Sequence, residues 1–308
     1  MDTSNLGAFD ALFEKLNTEY GHEVTTHGLT NTSGSPDKRT KWGDKIVASS
    51  IAPNIDAVVL FALKKPELDM FIKACGISPI DDVRNNIVFR TINMDANGAP
   101  IRLALATQHE MGLVSASILS TISLMTYHPK LLLMGGICAG VEGKTSIGDL
   151  IVADPVFNYE AGKRTPKGFE ANYTQRHLTR KCRELVEELK NDRTFLRTIK
   201  DSWDIDTGKP HTEIDVHIAP MGSGSSVLTE PKVLEDISHH QRKITGIDME
   251  SFAIGQSAYE VLGEETPWIV VKGVQDYANE DKNDKSREYA AYVSAKFIIE
   301  FLRRYFNM

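Results

Sequence analysis

Apolar positions along the chain fall into two patterns, and each predicts a different element. From Ile55 onward, "DAVVLFAL" is a continuous apolar run, the mark of a strand buried on both faces. "NNIVFRTINM" and "IRLALATQ" are two further strand candidates, and "GLVSASILSTISLMTY" reads as a long helix of small and apolar residues. "KLLLMGGICAGV" is a buried strand running into a glycine turn, and "GDLIVADPV" is another strand. A charged helical stretch from about Thr174 to Lys200 follows, then the strand "EIDVHIAP". "TEPKVLEDISHH" predicts a helix with Thr229 as N-cap and Pro231 near its start. A short strand, Ile244 to Ile247, leads into a helix over Ser251 to Tyr259, and "PWIVVKGVQDYAN" is a strand ending in a polar turn. "SREYAAYVSAKFIIEFLRRYF" closes the chain as a helix with an apolar stripe. Buried strands alternating with helices predict a layered α/β fold with a largely parallel or mixed sheet. In such folds ligands bind at the carboxyl ends of strands.

The first 50 residues follow neither pattern. "FDALFEKLNTEY" predicts a short amphipathic helix with Phe9, Leu12, Phe13 and Leu16 on one side. "THGLTNTSGSPDKRTKWGDK" then has the composition of a linker. Residues 1–50 are expected to be an N-terminal extension and residues 51–308 a single domain.

Composition narrows the function classes. The chain has 308 residues, 41% of them hydrophobic, with 42 acidic and 35 basic side chains and a formal charge of −7. That balance argues against nucleic acid as the partner. No apolar run reaches the ~20 residues of a membrane span, and Asp2, Asp10 and Glu14 replace the apolar core of a secretory leader. Cys75, Cys138 and Cys182 lack zinc spacing and fit reduced thiols in a cytoplasm. Neither a metal set nor a phosphate loop of the Walker type is expected, and no cofactor.

Three strand ends carry chemistry: "GGICAG", "DMES" and "KGVQDYAN". Gly135, Gly136 and Gly140 allow close backbone approach to a ligand. Two carboxylates, Asp248 and Glu250, stand between a buried strand and a buried helix, where they are costly without partners. Asp276 ends an apolar strand. Taken alone, Glu250 also suits a helix N-terminus, and Asp276 also suits a turn before "NEDKND".

In order along the chain, "MGLVSAS", "GGICAGV…IGDLIVAD", "PMGSGSSVL", "GIDMESFAIGQSA" and "VVKGVQDYANEDKNDKSREYAAYVSAKF" resemble the nucleoside phosphorylase and nucleosidase superfamily. The resemblance covers about Ile55 to Phe306. It implies a three-layer α/β/α fold with a central mixed, partly barrel-like sheet, and cleavage of an N-glycosidic bond through an oxocarbenium-like ribose. Asp276 matches the acid that protonates a purine at N7, Glu250 the carboxylate that takes the ribose hydroxyls, and Met249 a residue packed on the sugar. Gly136, Ile137 and Cys138 lie in the turn that contacts ligand, with Phe157 near the site entrance. Met221 falls where the family stacks the base, or is a core methionine. His109 contacts a sugar hydroxyl, or is a turn or interface histidine. Asp248 matches no ligand role and caps the following helix.

The departures from the family pattern concern the nucleophile. Where phosphorylases carry an arginine and a serine to hold phosphate, this chain has Met134 and Ile137, which cannot bind an anion. The first strand ends in "FALKKPELDMF", which resembles the nucleosidase form in which a glutamate activates water. Strict register puts Pro66 at that position; a one-residue insertion or bulge restores Glu67. The resemblance therefore implies hydrolysis of a purine nucleoside or nucleotide, adenine first. A phosphate-dependent phosphorylase and an inactive nucleoside-sensing module are the alternatives. Lys38, Arg39, Lys41, Lys163, Arg164 and Lys167 are loop bases that would suit 5′ phosphates, or form solvated loops. If they bind phosphates, the enzyme would strip adenine from nucleotides such as ATP, a nucleotide-depleting immune role. Family members form dimers or hexamers, so a homo-oligomer is expected.

Overall fold

The computed structural model describes residues 53–96, 98–205, 208–228, 230–277 and 285–308. The expected extension with its helix, the bases Lys38, Arg39 and Lys41, and the N-cap at Thr229 lie outside them. In chain order the strands are β1 (Ala57–Phe61), β2 (Ile80–Arg84), β3 (Ile87–Ala96), β4 (Ala99–Thr107), β5 (Leu131–Gly140), β6 (Leu150–Asn158), β7 (Gly162–Thr165), β8 (Gly168–Ala171), β9 (Gln175–Arg176), β10 (Val216–Ser223), β11 (Gly246–Asp248) and β12 (Trp268–Asp276). The helices are α1 (Asp69–Cys75), α2 (Leu113–Tyr127), α3 (Arg180–Asn191), α4 (Arg193–Asp201), α5 (Pro231–His240), α6 (Ser251–Leu262) and α7 (Arg287–Asn307). A π-type turn, Lys64–Leu68, joins β1 to α1.

Among the described residues, ten strands form one mixed sheet. β1 pairs in parallel with β4 and β5, and β12 pairs in parallel with β5 and antiparallel with β6. β6 runs parallel to β10, and β10 to β11. β11 then returns antiparallel to the far end of β5, with Gly246 opposite Gly140 and Ile247 opposite Ala139. Five strands, β5, β12, β6, β10 and β11, thus close a ring, and β1, β4, β3 and β2 extend from it as an open wing. The mixed, partly barrel-like sheet expected from the resemblance is present.

The burial follows the apolar runs. Every residue of β1 is buried, and β5 is buried at nine of its ten positions, "LLLMGGICAG" with Ala139 intermediate. Such strands need helices on both faces. α7 packs on β12 and β5 with α1, while α6 packs with α2 and against β12 and β6. Phe297 and Phe301 of α7 are fully buried, and each such side chain contributes roughly 1.5–3 kcal/mol relative to exposure. α7 approaches β12 so closely that a Cβ on Gly273 would lie 2.2 Å from the Ala290 carbonyl oxygen. β2, at the open edge, is short and carries Asp81, Asp82 and Arg84, which discourages edge-to-edge pairing.

The structure departs from the sequence reading in several places, the short helix α1 among them. The charged stretch from Thr174 to Lys200 is β9, α3 and α4 rather than one helix. It breaks at Asp192, whose Oδ1 accepts from the Phe195 amide at 3.0 Å and whose Oδ2 pairs with Arg304 at 2.6 Å. A capping aspartate with an ion-pair partner outweighs the continuing helical pattern. β2, β7 and β8 were not predicted, because they are short, polar and largely exposed.

Candidate active site

The carboxyl ends of β5, β11 and β12 converge on a cavity of about 200 Å³, together with the turn after β1 and the segment Ser226–Leu228. Glu67, Ile137, Cys138, Met249, Glu250 and Asp276, all singled out from the sequence, line it. Residues from four separate stretches of the chain therefore meet at one crevice.

Glu67 enters from the π-type turn, one residue after Pro66. Its side chain is buried, and its two oxygens are held separately: Oε2 accepts from the Leu63 amide at 2.8 Å and Oε1 from the Ile137 amide at 3.0 Å. The glycine turn makes room for it. Gly136 has φ +145°, and a Cβ there would lie 2.3 Å from Glu67 Oε1. Gly136 thus backs the carboxylate and is not itself among the lining residues. Burial pushes the Glu67 carboxyl above its ordinary range, against the pull of Lys272.

Glu250 stands at the start of α6. Its Oε1 accepts from Gln108 Nε2 at 3.1 Å and from the Gly112 amide at 2.9 Å. Behind it lies Lys272, a lysine with no exposed surface in the middle of β12, whose Nζ is 3.6 Å from Glu250 Oε2 and 3.3 Å from Asp248 Oδ2. Burial pushes Glu250 above the usual carboxylate range, and Lys272 pulls the other way. Burial also opposes the Lys272 charge, but Asp248, Glu250 and Glu67 together outweigh it and hold the ammonium well above its ordinary value. The cluster is a buried network in which three carboxylates share one cation.

Asp248 is the helix cap expected from the sequence. Its carboxylate accepts from the Ser251 amide at 3.1 Å and the Glu250 amide at 3.2 Å, from Ser223 Oγ at 2.7 Å, and from the Ser251 hydroxyl. It fixes the Met249–Glu250 turn in place and is itself half of the Lys272 partnership.

Asp276 ends β12, where the register against β5 slips between Val274 and Asp276. The extra residue is Gln275. A bulge at a strand end re-aims side chains, and here the consecutive residues Gln275 and Asp276 both line the cavity. Gln275 Nε2 donates to Asp276 Oδ2 at 2.9 Å.

Four sequence candidates stand outside the lining. Met221 is fully buried beneath the site, with Ser251 Oγ 3.1 Å from its sulfur. Phe157 is fully buried in a satellite core against Tyr173, ring centroids 5.0 Å apart. The His109 side chain is 94% exposed, nearest to Glu110. Gly136 acts through Glu67, as described. Cys138 does line the cavity, but burial first, and then Asp248, push its thiol well above its ordinary value, so it is no thiolate nucleophile. Met134 is core and Ile137 apolar, so neither side chain offers an anion a partner. Gln108 and Lys272, which hold Glu250, and Gln275 and Arg287, which line the cavity, were missed. Lys272 had a signal: a lone cation inside "WIVVKGV" must find buried anions.

Among the described residues, no group of three or more His, Cys, Asp or Glu side chains is arranged to hold a metal ion, and no helix is long and apolar enough to cross a membrane.

Comparison with known proteins places this geometry in context. A family model described as the phosphorylase superfamily matches residues 56–307. An uncharacterized protein, y4jS, of Sinorhizobium fredii is 28% identical over 84% of this chain and 63% of its own length. A 5′-methylthioadenosine/S-adenosylhomocysteine nucleosidase of Maridesulfovibrio salexigens is 24% identical over 67% of this chain and 83% of its own. The ATP nucleosidase Cap17 of Escherichia coli is 24% identical over 80% of this chain but 51% of its own, so this chain spans about half of that relative. Among solved structures, a mutant of Helicobacter pylori MTAN with 5′-methylthioadenosine in its active site superposes with a TM-score of 0.65 at 15% identity, covering 81% of this chain and 99% of that one.

Proposed function

Because this chain belongs to the phosphorylase superfamily, we propose that it hydrolyses the N-glycosidic bond of a purine nucleoside or nucleotide, releasing free base and sugar. The observation that carries this reading is the seat of Glu67. Its carboxylate already occupies the amides of Leu63 and Ile137, at the glycine turn where a phosphorolytic enzyme would present donors to phosphate. A phosphate charge 4 Å away would meet repulsion of about 4 kcal/mol per unit charge. Water meets none, and finds a base instead.

The steps follow from the residues. Glu250 accepts hydrogen bonds from the vicinal ribose hydroxyls, and Met249 packs beside the sugar. Asp276 is the group that delivers a proton to N7, so that the C1′–N9 bonding pair departs onto the base. Positive charge then grows at C1′ and the ring oxygen, in a cavity whose buried carboxylates favour it. Glu67 takes a proton from water as the water oxygen bonds to C1′. Lys272 holds Glu250 and Asp248 in place through its two ion pairs, and touches no substrate in this scheme.

Two observations favour a substrate with a 5′ phosphate chain. The hairpin β7–β8 carries Lys163, Arg164 and Lys167 and follows Glu160, whose Oε2 accepts from Ser225 Oγ at 2.8 Å, next to the lining segment Ser226–Leu228. The similarity to an ATP nucleosidase spans most of this chain. Depletion of nucleotides in an immune setting is the physiological role this suggests.

The working form is a homo-oligomer. Val114, Ile118 and Met125 expose 75%, 56% and 64% of their surface along α2, and Met111, two residues before that helix, lines the cavity and is 51% exposed. A patch of this kind marks an interface.

The test is incubation with adenosine, methylthioadenosine, AMP and ATP, with and without phosphate, followed by chromatography for adenine and sugar. Adenine release independent of phosphate supports the reading. Formation of ribose 1-phosphate, or no base release from any of the four, overturns it.

A further inference from the structure

We propose that Asp149 is a positioning residue for the candidate acid: through the loop it organises, it sets where Asp276 stands at the end of β12. The inference rests on the hydrolase reading above and adds a residue that lies outside the cavity lining.

Residues 145–149, in the connection from β5 to β6, are hydrogen-bonded to the chain on both sides of the β12 bulge. Before the bulge, the Val274 amide donates to the Asp149 carbonyl at 2.9 Å, and the Gly148 amide donates to the Val274 carbonyl at 2.9 Å. These two bonds extend the antiparallel ladder in which Gly273 stands opposite Leu150. After it, the Tyr277 hydroxyl donates to the Thr145 carbonyl at 3.3 Å. Gln275 and Asp276 therefore lie between two points of attachment to one loop, and both line the cavity.

The Asp149 side chain gives that loop its shape. The residue is buried, and its two oxygens accept in different directions. Oδ2 accepts from the Ser146 amide at 2.8 Å and lies 2.8 Å from His217 Nε2, while Oδ1 accepts from the Asp215 amide at 3.1 Å. One carboxylate thus folds the loop onto itself and ties it to the start of β10, the strand that runs beside β6. With the loop fixed, the carbonyl that receives the Val274 amide is fixed too. Against β5 the register slips between Val274 and Asp276, so this loop supplies the firm points on either side of the slip. A proton donor must stand within hydrogen-bond reach of the atom it protonates. A misplacement of about 1 Å, from a change remote from the chemistry, can cost about 10²-fold in rate.

The experiment measures kcat and KM for base release by Asp149→Ala in two backgrounds, wild type and Asp276→Asn. It uses whichever of the four adenine substrates is cleaved, with single turnovers at excess enzyme for the slow background. Residues that act as a unit are non-additive. In the wild-type background kcat is expected to fall roughly ten- to hundredfold, with KM little changed. In Asp276→Asn the same substitution is expected to leave kcat unchanged, because the group it positions is gone. Ile92→Ala, a buried position on β3 in the open wing, is the stability control: it should melt lower and keep kcat. Asp149→Asn, equal in size with one accepting oxygen in place of two, carries the test if Asp149→Ala does not fold, with a smaller loss again confined to the wild-type background. A folded Asp149 variant with wild-type kcat, an equal fold-loss in both backgrounds, or a matching loss of kcat in Ile92→Ala would overturn the positioning role while leaving the hydrolase reading intact. Full activity in Asp276→Asn, or no base release by wild type, would overturn the reading of the site and this inference with it.

Discussion

Lys272 and Glu250 form a buried ion pair: Nζ lies 3.6 Å from Oε2, and the two side chains are 0% and 5% exposed. The same ammonium is 3.3 Å from Asp248, so the carboxylate assigned to the ribose and the carboxylate that caps its helix share one cation. Burying charges is worthwhile only while they stay partnered. Lys272→Met should therefore lower stability by about 3–5 kcal/mol, read from urea unfolding, and should also reduce base release. An unchanged unfolding midpoint would mean that the network does not hold the site together.

Glu67 is assigned to water. Glu67→Gln keeps the size of the side chain and removes its basicity, so kcat should fall roughly 10²–10⁴-fold, with KM changed little. Gly136→Ala should reproduce part of that loss, since its Cβ would lie 2.3 Å from Glu67 Oε1 and displace it. Steady-state kinetics on both variants, with thermal melts to confirm folding, check the pair. Wild-type kcat in Glu67→Gln would remove Glu67 from the chemistry.

The pH dependence has a definite sign. Burial raises the Glu67 and Glu250 carboxyls above the ordinary 4.5. Base release should therefore decline on the acid side at a pH above that value, as these groups take up protons. Stability runs the other way. A carboxyl whose folded value is raised contributes stability that is fully present below the unfolded value and lost as pH rises through the folded one. Profiles of kcat/KM and of melting temperature against pH should thus slope in opposite directions over this window. An acid limb at the ordinary carboxylate value would contradict the assignment.

Much of this was legible in the sequence, for physical reasons. A strand buried on both faces must be apolar throughout, so β1, β5 and β12 stood out as runs. Acids at the ends of such strands are costly, so Glu250 and Asp276 stood out as exceptions. What stayed hidden depended on partners. Lys272 looked like an interruption in a strand until Asp248 and Glu250 were found around it. Gln275 gains its place from a bulge that no apolar pattern encodes. Conversely, Met221 and Phe157 satisfy their apolar surface in the core, and type alone cannot separate a core methionine from one that stacks a base.

The stripe on α2 makes a separate prediction. If a second copy covers Val114, Ile118 and Met125, Ile118→Glu should convert the assembly toward monomer in sedimentation experiments, since an unpaired charge would be buried at the contact. A wild-type protein that sediments as a monomer would refute the oligomer.

The central claim is that a proton from Asp276 releases a purine from a sugar held by Glu250. Adenine release by Asp276→Asn, measured by chromatography against wild type on whichever of the four adenine substrates is cleaved, tests it most directly. The account predicts a fall of roughly 10²–10⁴-fold in a variant that remains folded. Full activity in Asp276→Asn would contradict it.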